Sequence, residues 1–184
     1  MSVTVPSHCV RLPSMPEPIS PADTSDDERR LLRRCIDLAR EALDDGDEPF
    51  GSVLVDATGT VRFEDRNRVG GGDETRHPEF EIAKWAATNL SPDERRTSVV
   101  YTSGEHCPMC SAAHAWVGLG RIVHAASSEQ LSGWLRDWGL PESPVACLPI
   151  GTVAPGIDTR GPFAEFTAEI RALHARLHGI DDEP

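Results

Sequence analysis

Apolar residues recur at helical spacing through Leu31, Cys35, Leu38 and Ala42, the inner face of a first helix. Ser25 and Glu28 stand ahead of it at capping-box spacing, and Gly46 ends it. Ser52–Asp56 and Val61–Asn67 then read as two strands joined at Thr58-Gly59, a hairpin. The segment Gly70-Gly71-Gly72-Asp73 reads as loop. Helical spacing returns at Pro78–Leu90, with Phe80, Ala83, Ala87 and Leu90 facing inward, and Arg95-Arg96 falls in a loop before an apolar strand at Ser98–Thr102. A helix at Pro108–Val117 stops before Gly118 and Gly120, and Ile122–Ala126 is a fourth strand. Ser127 and Gln130 cap the next helix, whose apolar residues are Leu131, Trp134, Leu135 and Trp138. Val145–Leu148 predicts a fifth strand, and Phe163, Phe166, Ile170, Leu173 and Leu177 mark a last helix starting near Pro162. Strands alternating with helices after an opening hairpin predict a mixed five-stranded sheet covered on both faces, a three-layer α/β/α sandwich. Periodicity leaves the strand order open.

The flanks behave differently. Pro6, Pro13, Pro16, Pro18 and Pro21 make residues 1–22 an extended or disordered tail, so a single domain is expected over 23–180, with 156–180 its C-terminal helix. A hydrophobic content of 39% over 184 residues suffices for one core. No apolar run approaches the roughly 20 residues of a membrane helix, and the N-terminus lacks the pattern of a secretory signal, so the expected location is the cytoplasm. The net charge of −12, from 18 basic and 30 acidic residues, argues against a nucleic-acid partner. Arg29, Arg30, Arg33 and Arg34 share one helical stretch and read as a solvated face. Five cysteines, an odd number, argue against a disulfide framework. Cys35 reads as core, Cys9 as tail and Cys147 as packed in a short apolar stretch, whereas Cys107 and Cys110 have metal-ligand spacing.

The chemistry concentrates in His77-Pro78-Glu79 and Cys107-Pro108-Met109-Cys110. One imidazole and two thiolates give Zn2+ three protein ligands and leave a fourth position for water, the pattern of a catalytic rather than a closed structural site. Zinc lowers the pKa of such a water to about 7, which makes hydroxide available at neutral pH. Glu79 stands two residues from a ligand, placed to take the water's proton and pass it on. Both ligand segments put a ligand directly before a proline, and proline favours the first helical position. His77 and Cys107 are therefore expected at the mouths of two helices, with Cys110 one turn inside. The ordered pair of motifs matches the nucleobase deaminase signature H-x-E…P-C-x-x-C.

At these residues the chain resembles the cytidine and guanine deaminase superfamily. The likeness runs from about Glu41 to Ala126 and includes Pro49-Phe50-Gly51, Asn67-Arg68-Val69, the run Tyr101 to Cys110, and Ala113, Trp116 and Val117. It is closest to the compact guanine, cytosine and tRNA-adenosine deaminases. The resemblance implies the three-layer fold, the zinc ligands, Glu79 as proton shuttle, Asn67 as a hydrogen-bonding partner of the base, and a homodimer. Two positions depart from the family pattern: Pro78 stands where alanine is usual, and His106 where proline is usual. Neither removes a ligand, and His106 adds a titratable group beside the metal. Phe50 and Trp116 are walls for a flat ring or ordinary core. Glu129 follows the fourth strand, where the family often places base-reading groups, or simply favours a helix start. Glu165 lies in the C-terminal segment that several branches close over the pocket. His114 and His124 fit packed histidines, and His174 and His178 fit a surface. The expected reaction is hydrolytic removal of an amino group from a small heterocycle, most simply a free nucleobase or analogue of guanine, cytosine, isocytosine or triazine type. The rival readings are a tRNA-specific adenosine deaminase and a non-catalytic zinc-stabilised module.

Overall fold

The computed structural model describes residues 17–141 and 143–181. Five strands form one mixed sheet: β1 (Gly51–Val55), β2 (Val61–Arg66), β3 (Val99–Gly104), β4 (Arg121–Ala126) and β5 (Thr159–Arg160), in the order β2-β1-β3-β4-β5. The β1–β2 hairpin and the β1–β3 pair are antiparallel, and β3–β4 and β4–β5 are parallel. The helices are α1 (Asp26–Asp44), α2 (Pro78–Asn89), α3 (Pro92–Thr97), α4 (Pro108–Val117), α5 (Ser128–Asp137), α6 (Ile150–Val153) and α7 (Ala164–Leu177). None of them is long and apolar enough to cross a membrane.

The sheet is packed on both faces, as the alternation of elements predicts. On one face Leu31, Leu32, Cys35, Ile36 and Ala39 of α1 meet Phe166, Ile170 and Leu173 of α7, together with Val53, Tyr101 and Val123. On the other, Ile82, Ala83 and Ala86 of α2 pack with Leu54, Val100 and Leu119. β1 is buried at every position, consistent with a strand flanked by neighbours and covered on both sides. α1 crosses β1 closely: a Cβ on Gly51 would stand 2.4 Å from the Cys35 carbonyl oxygen. The capping boxes expected at Ser25 and Ser127 both form.

Several expectations are corrected. Val145–Leu148 is not a strand. Prolines 144 and 149 flank this apolar run and deny it ladder donors at both ends. It forms a loop with Val145 and Cys147 exposed, so Cys147 is not packed, and the fifth strand is the short β5 instead. Arg95-Arg96 lies not in loop but in α3, which opens with Ser91 and Glu94 in a capping box and Pro92 in its first turn. The inner face of α2 is Glu79, Ile82, Ala83, Ala86 and then Leu90, while Phe80 is half-buried and Ala87 exposed. The last helix begins two residues after Pro162, because Ile19 bridges Phe163 there, with Ile19 N–H donating to the Pro162 carbonyl at 2.7 Å. Residues 17–22 are thus tied to the fold ahead of the expected boundary at 23. Cys9 and the rest of the predicted tail lie outside the described residues, as does the acidic end from 182 on.

Candidate metal centre and active-site cavity

His77 and Cys107 each occupy the residue before a helix, with extended backbone (φ −84°, ψ 140° and φ −64°, ψ 167°), and Pro78 and Pro108 open α2 and α4. This is the local geometry that a pre-proline residue prefers. Cys110 follows one turn inside α4 and is buried. His77 Nδ1 stands 3.6 Å from Cys107 Sγ and 3.7 Å from Cys110 Sγ, and the three ligand atoms lie within 4.8 Å of one another. Tetrahedral coordination with Zn–S of about 2.3 Å and Zn–N of about 2.0–2.1 Å demands an N–S separation of about 3.5 Å, so the donor set fits zinc. Among the described residues no fourth histidine, cysteine or carboxylate joins the group. The donors already act on one another. The Cys110 thiol, and then His77, hold the Cys107 sulfur down to about 4, while the hydrogen bond with Cys107 raises His77 to about 9. Cys110, sharing its proton with Cys107 and buried, is pushed well up. A metal that displaces protons from such a set ties its affinity to pH.

Glu79 sits in the first turn of α2 and is 5% exposed. Its Oε1 accepts from Ser52 Oγ at 3.0 Å and from Thr102 Oγ1 at 2.8 Å, groups on β1 and β3. Burial pushes its carboxyl above the usual range, the condition for a group that must both take and give a proton near neutrality. His77, Glu79 and Cys107 line one cavity of about 330 Å³ with Glu48, Phe50, Trp134 and His174. Its outer wall comes from α5, from Leu140, Pro141, Pro144, Val145 and Cys147, and from the end of α7. Ile170, His174 and Leu177 of α7, with His178 after it, line the cavity.

The remaining candidates divide. Phe50 lines the cavity, with its ring edge-to-face on His174 at 5.1 Å between centroids. Asn67 is fully buried; its backbone N–H donates to the Phe50 carbonyl at 2.9 Å, its Oδ1 accepts from Val69 N at 3.0 Å, and its Nδ2 has no protein partner. His106 is buried behind the metal group rather than in an exposed loop; its ring lies 5.3 Å from that of His114, and neither of its nitrogens is hydrogen-bonded. His114 Nε2 donates to the Gly120 carbonyl at 2.8 Å, and His124 Nδ1 lies 3.2 Å from the Ala126 carbonyl, both packed as expected.

Asn67 and His106 are buried but do not line the cavity, and three further candidates lie away from it. Trp116 is 89% exposed on α4, because the helix turns that position away from both α2 and the sheet. Glu129 is exposed in the first turn of α5, where its charge favours the helix start. Glu165 accepts from Arg29 Nε at 3.0 Å, across the α1–α7 contact. The arginines of α1 are paired as well: Arg33 with Glu169, Arg30 with Asp27 and Arg34 with Glu41 and Glu64. His174, expected at a surface, is 4% exposed and lines the cavity, while His178 is exposed at its edge. Glu48 and His174 escaped sequence reasoning. For Glu48 the usable signal was its place directly before Pro49-Phe50-Gly51; for His174 it was its position one turn beyond Ile170 on the apolar face of α7.

Comparison with known proteins agrees with this arrangement. The cytidine and deoxycytidylate deaminase zinc-binding region matches residues 25–126. A probable cytosine deaminase from Schizosaccharomyces pombe is 31% identical over 156 residues, covering 83% of this chain and 94% of that protein. Guanine deaminase from Bacillus subtilis is 34% identical over 98 residues, covering 52% of this chain and 62% of that protein. The solved structure of guanine deaminase from Nitrosomonas europaea superposes with a TM-score of 0.63 at 20% identity, over 97% of this chain and 96% of that one, which shows the shared fold. Because the family's zinc-binding region spans more than half of the chain and takes in every residue of the metal group, the chain belongs to the cytidine and deoxycytidylate deaminase family and is a zinc-dependent deaminase.

Proposed function

We propose that this deaminase acts on a small aminated heterocycle, most simply a free nucleobase or analogue of the guanine, cytosine, isocytosine or triazine type, and releases ammonia. The seat of Glu79 carries this reading: a buried carboxylate, one oxygen held by two hydroxyls, on the wall of the cavity that also holds the metal ligands. Zinc held by His77, Cys107 and Cys110 would supply a water whose pKa is lowered to about 7. Glu79 Oε2 takes a proton from the attacking water and delivers it to the ring nitrogen beside the amino-bearing carbon. It then carries the second water proton to the amine, which leaves as ammonia while the carbon keeps the oxygen as a carbonyl. Ser52 and Thr102 fix the carboxylate during both transfers. Phe50 offers a flat wall, and the unpartnered Nδ2 of Asn67 is a donor for the ring.

The tRNA reading is disfavoured by electrostatics. The net charge is −12, the arginines of α1 are neutralised in ion pairs, and among the described residues no lysine or arginine lines the cavity. A closed structural zinc module would need a fourth protein ligand, and His106 and His114 lie outside the donor group. The resemblance also implies a homodimer, and the exposed Trp116 on α4 supports it. A panel of guanine, cytosine, isocytosine, aminotriazines and a tRNA anticodon arm, assayed for ammonia release, tests the proposal. Turnover of at least one small ring and none of the RNA is expected. Inosine formation in the RNA with no turnover of the rings would overturn it.

A further inference from the structure

Among the described residues three carboxylates line the cavity, and protein hydrogen-bond donors engage only two of them. Glu79 is held by Ser52 and Thr102. Both oxygens of Glu105 accept backbone N–H groups, from Ser128 at 2.9 Å and from Ile150 at 2.9 Å, so Glu105 joins α5 and α6 to the end of β3. The Glu48 carboxylate has no hydrogen bond or ion pair to any described residue, although burial, followed by the like charges of Glu74, Cys107 and Glu79, opposes its ionised form and only His77 favours it. A half-buried carboxylate left without donors costs free energy, so a fold keeps one where a ligand completes it. His174 presents the same anomaly from α7. It is 4% exposed and lines the cavity, it packs against Phe50 at 5.1 Å and Trp134 at 6.3 Å, and neither ring nitrogen bonds to a described residue. Burial among these rings holds it down to about 3, so it stays neutral, with one nitrogen to donate and one to accept.

We propose that Glu48 and His174, meeting around the Phe50 ring, are specificity-determining contacts that read the substrate and restrict it to an uncharged ring presenting N–H donors and carrying no phosphate; this rests on the free-base reading above. A carboxylate accepts only, so the edge it reads must carry N–H groups. The neutral imidazole tolerates either polarity and adds orientation. Among the described residues, a phosphate in this cavity would meet three carboxylates and no lysine or arginine, which excludes nucleotides by repulsion.

The test measures kcat and KM by ammonia release for zinc-loaded wild type, Glu48→Gln, His174→Phe and His174→Gln on guanine and cytosine, with guanosine monophosphate and deoxycytidylate alongside. For the base that wild type deaminates, Glu48→Gln and His174→Phe should each raise KM by about 10-fold or more with kcat within about 3-fold, the signature of lost binding rather than lost chemistry. His174→Gln, which keeps a donor and an acceptor, should restore most of that loss. The nucleotides should show no turnover above background. KM values for the base within about 2-fold of wild type in both variants would overturn the assignment of the readers. Turnover of a nucleotide at a rate comparable to the base would overturn the exclusion of phosphate. Wild type that deaminates a tRNA arm but neither base would instead overturn the free-base reading itself.

Discussion

At the scale of single residues, Glu79 is set apart by how little freedom it has. Two hydroxyls hold one oxygen, burial raises its proton affinity, and it lies two residues from a metal ligand without belonging to the group of donors. Glu79→Ala should therefore lower kcat by roughly 10⁴-fold or more, since one group acts in two proton transfers, while zinc content stays near one per chain. His77→Ala should lose metal and activity together. Metal analysis beside kinetics checks both, and a Glu79→Ala protein without zinc would make Glu79 a ligand. Asn67→Ala should weaken kcat/KM by about 1–3 kcal/mol with the fold intact by circular dichroism, the cost of losing a buried donor. His77, Glu79 and the two cysteines were legible in the sequence because they stand at spacings of two and three residues beside prolines, whereas Asn67 came only from the family resemblance. The readers Glu48 and His174 were not legible: their local signals, a place before Pro49-Phe50-Gly51 and a position one turn beyond Ile170, name no role, and only folding brings residues 126 positions apart to one cavity. Trp116 shows the reverse failure, since a large aromatic near a motif looks like a pocket wall until the helix rotation is known.

At the scale of elements, the site depends on how closely β3 approaches the loop before β1. Gly104 ends β3 directly beneath Phe50, and a Cβ there would stand 2.9 Å from Phe50 Cε1 and 3.1 Å from Cδ1. Gly104→Ala should push the ring toward the cavity, raising KM more than it lowers kcat, and should destabilise the fold by about 1–3 kcal/mol through overpacking. Thermal denaturation and steady-state kinetics on the same sample check this; unchanged KM would show that Phe50 does not face the substrate. Sequence reading succeeded for elements whose pattern spans a full face, such as α1 with its capping box. It failed where an apolar run was too short to carry a period, as at Val145–Leu148, where flanking prolines decide against a strand. It failed again at α3, which buries no residue at all, so its only signals were Ser91, Pro92 and Glu94.

At the scale of the whole molecule, burial of uncharged histidines links stability to pH. Trp116 gives a separate prediction: the wild type should sediment as a dimer, and Trp116→Glu should shift it to monomer if α4 forms the contact. For pH, burial holds His114 down to about 4 and His174 to about 3, against an ordinary value of 6.5. Around His174 stand the rings of Phe50 and Trp134, with Glu48 on the same cavity wall; burial is the main cause of its low value, and His178 one turn on also opposes its protonation. The sign follows directly. Above 6.5 folded and unfolded chains both carry neutral imidazoles, so neither histidine contributes. Below 6.5 the unfolded chain takes protons that the folded chain refuses, and folding weakens as pH falls, until the folded values near 4 and 3 are passed. Each group contributes a slope of up to about 1.4 kcal/mol per pH unit in that window. Denaturant unfolding measured from pH 7.5 to 4.5 should therefore show a steep loss in wild type. His106 and His124 are held down by burial in the same direction, and His174→Phe removes one of these titrations, so its slope should be shallower by up to that amount between about pH 6 and 4.5. Parallel slopes for the two proteins would show that His174 is solvated enough to accept its proton in the folded state, and with it that the cavity wall is open to water at α7.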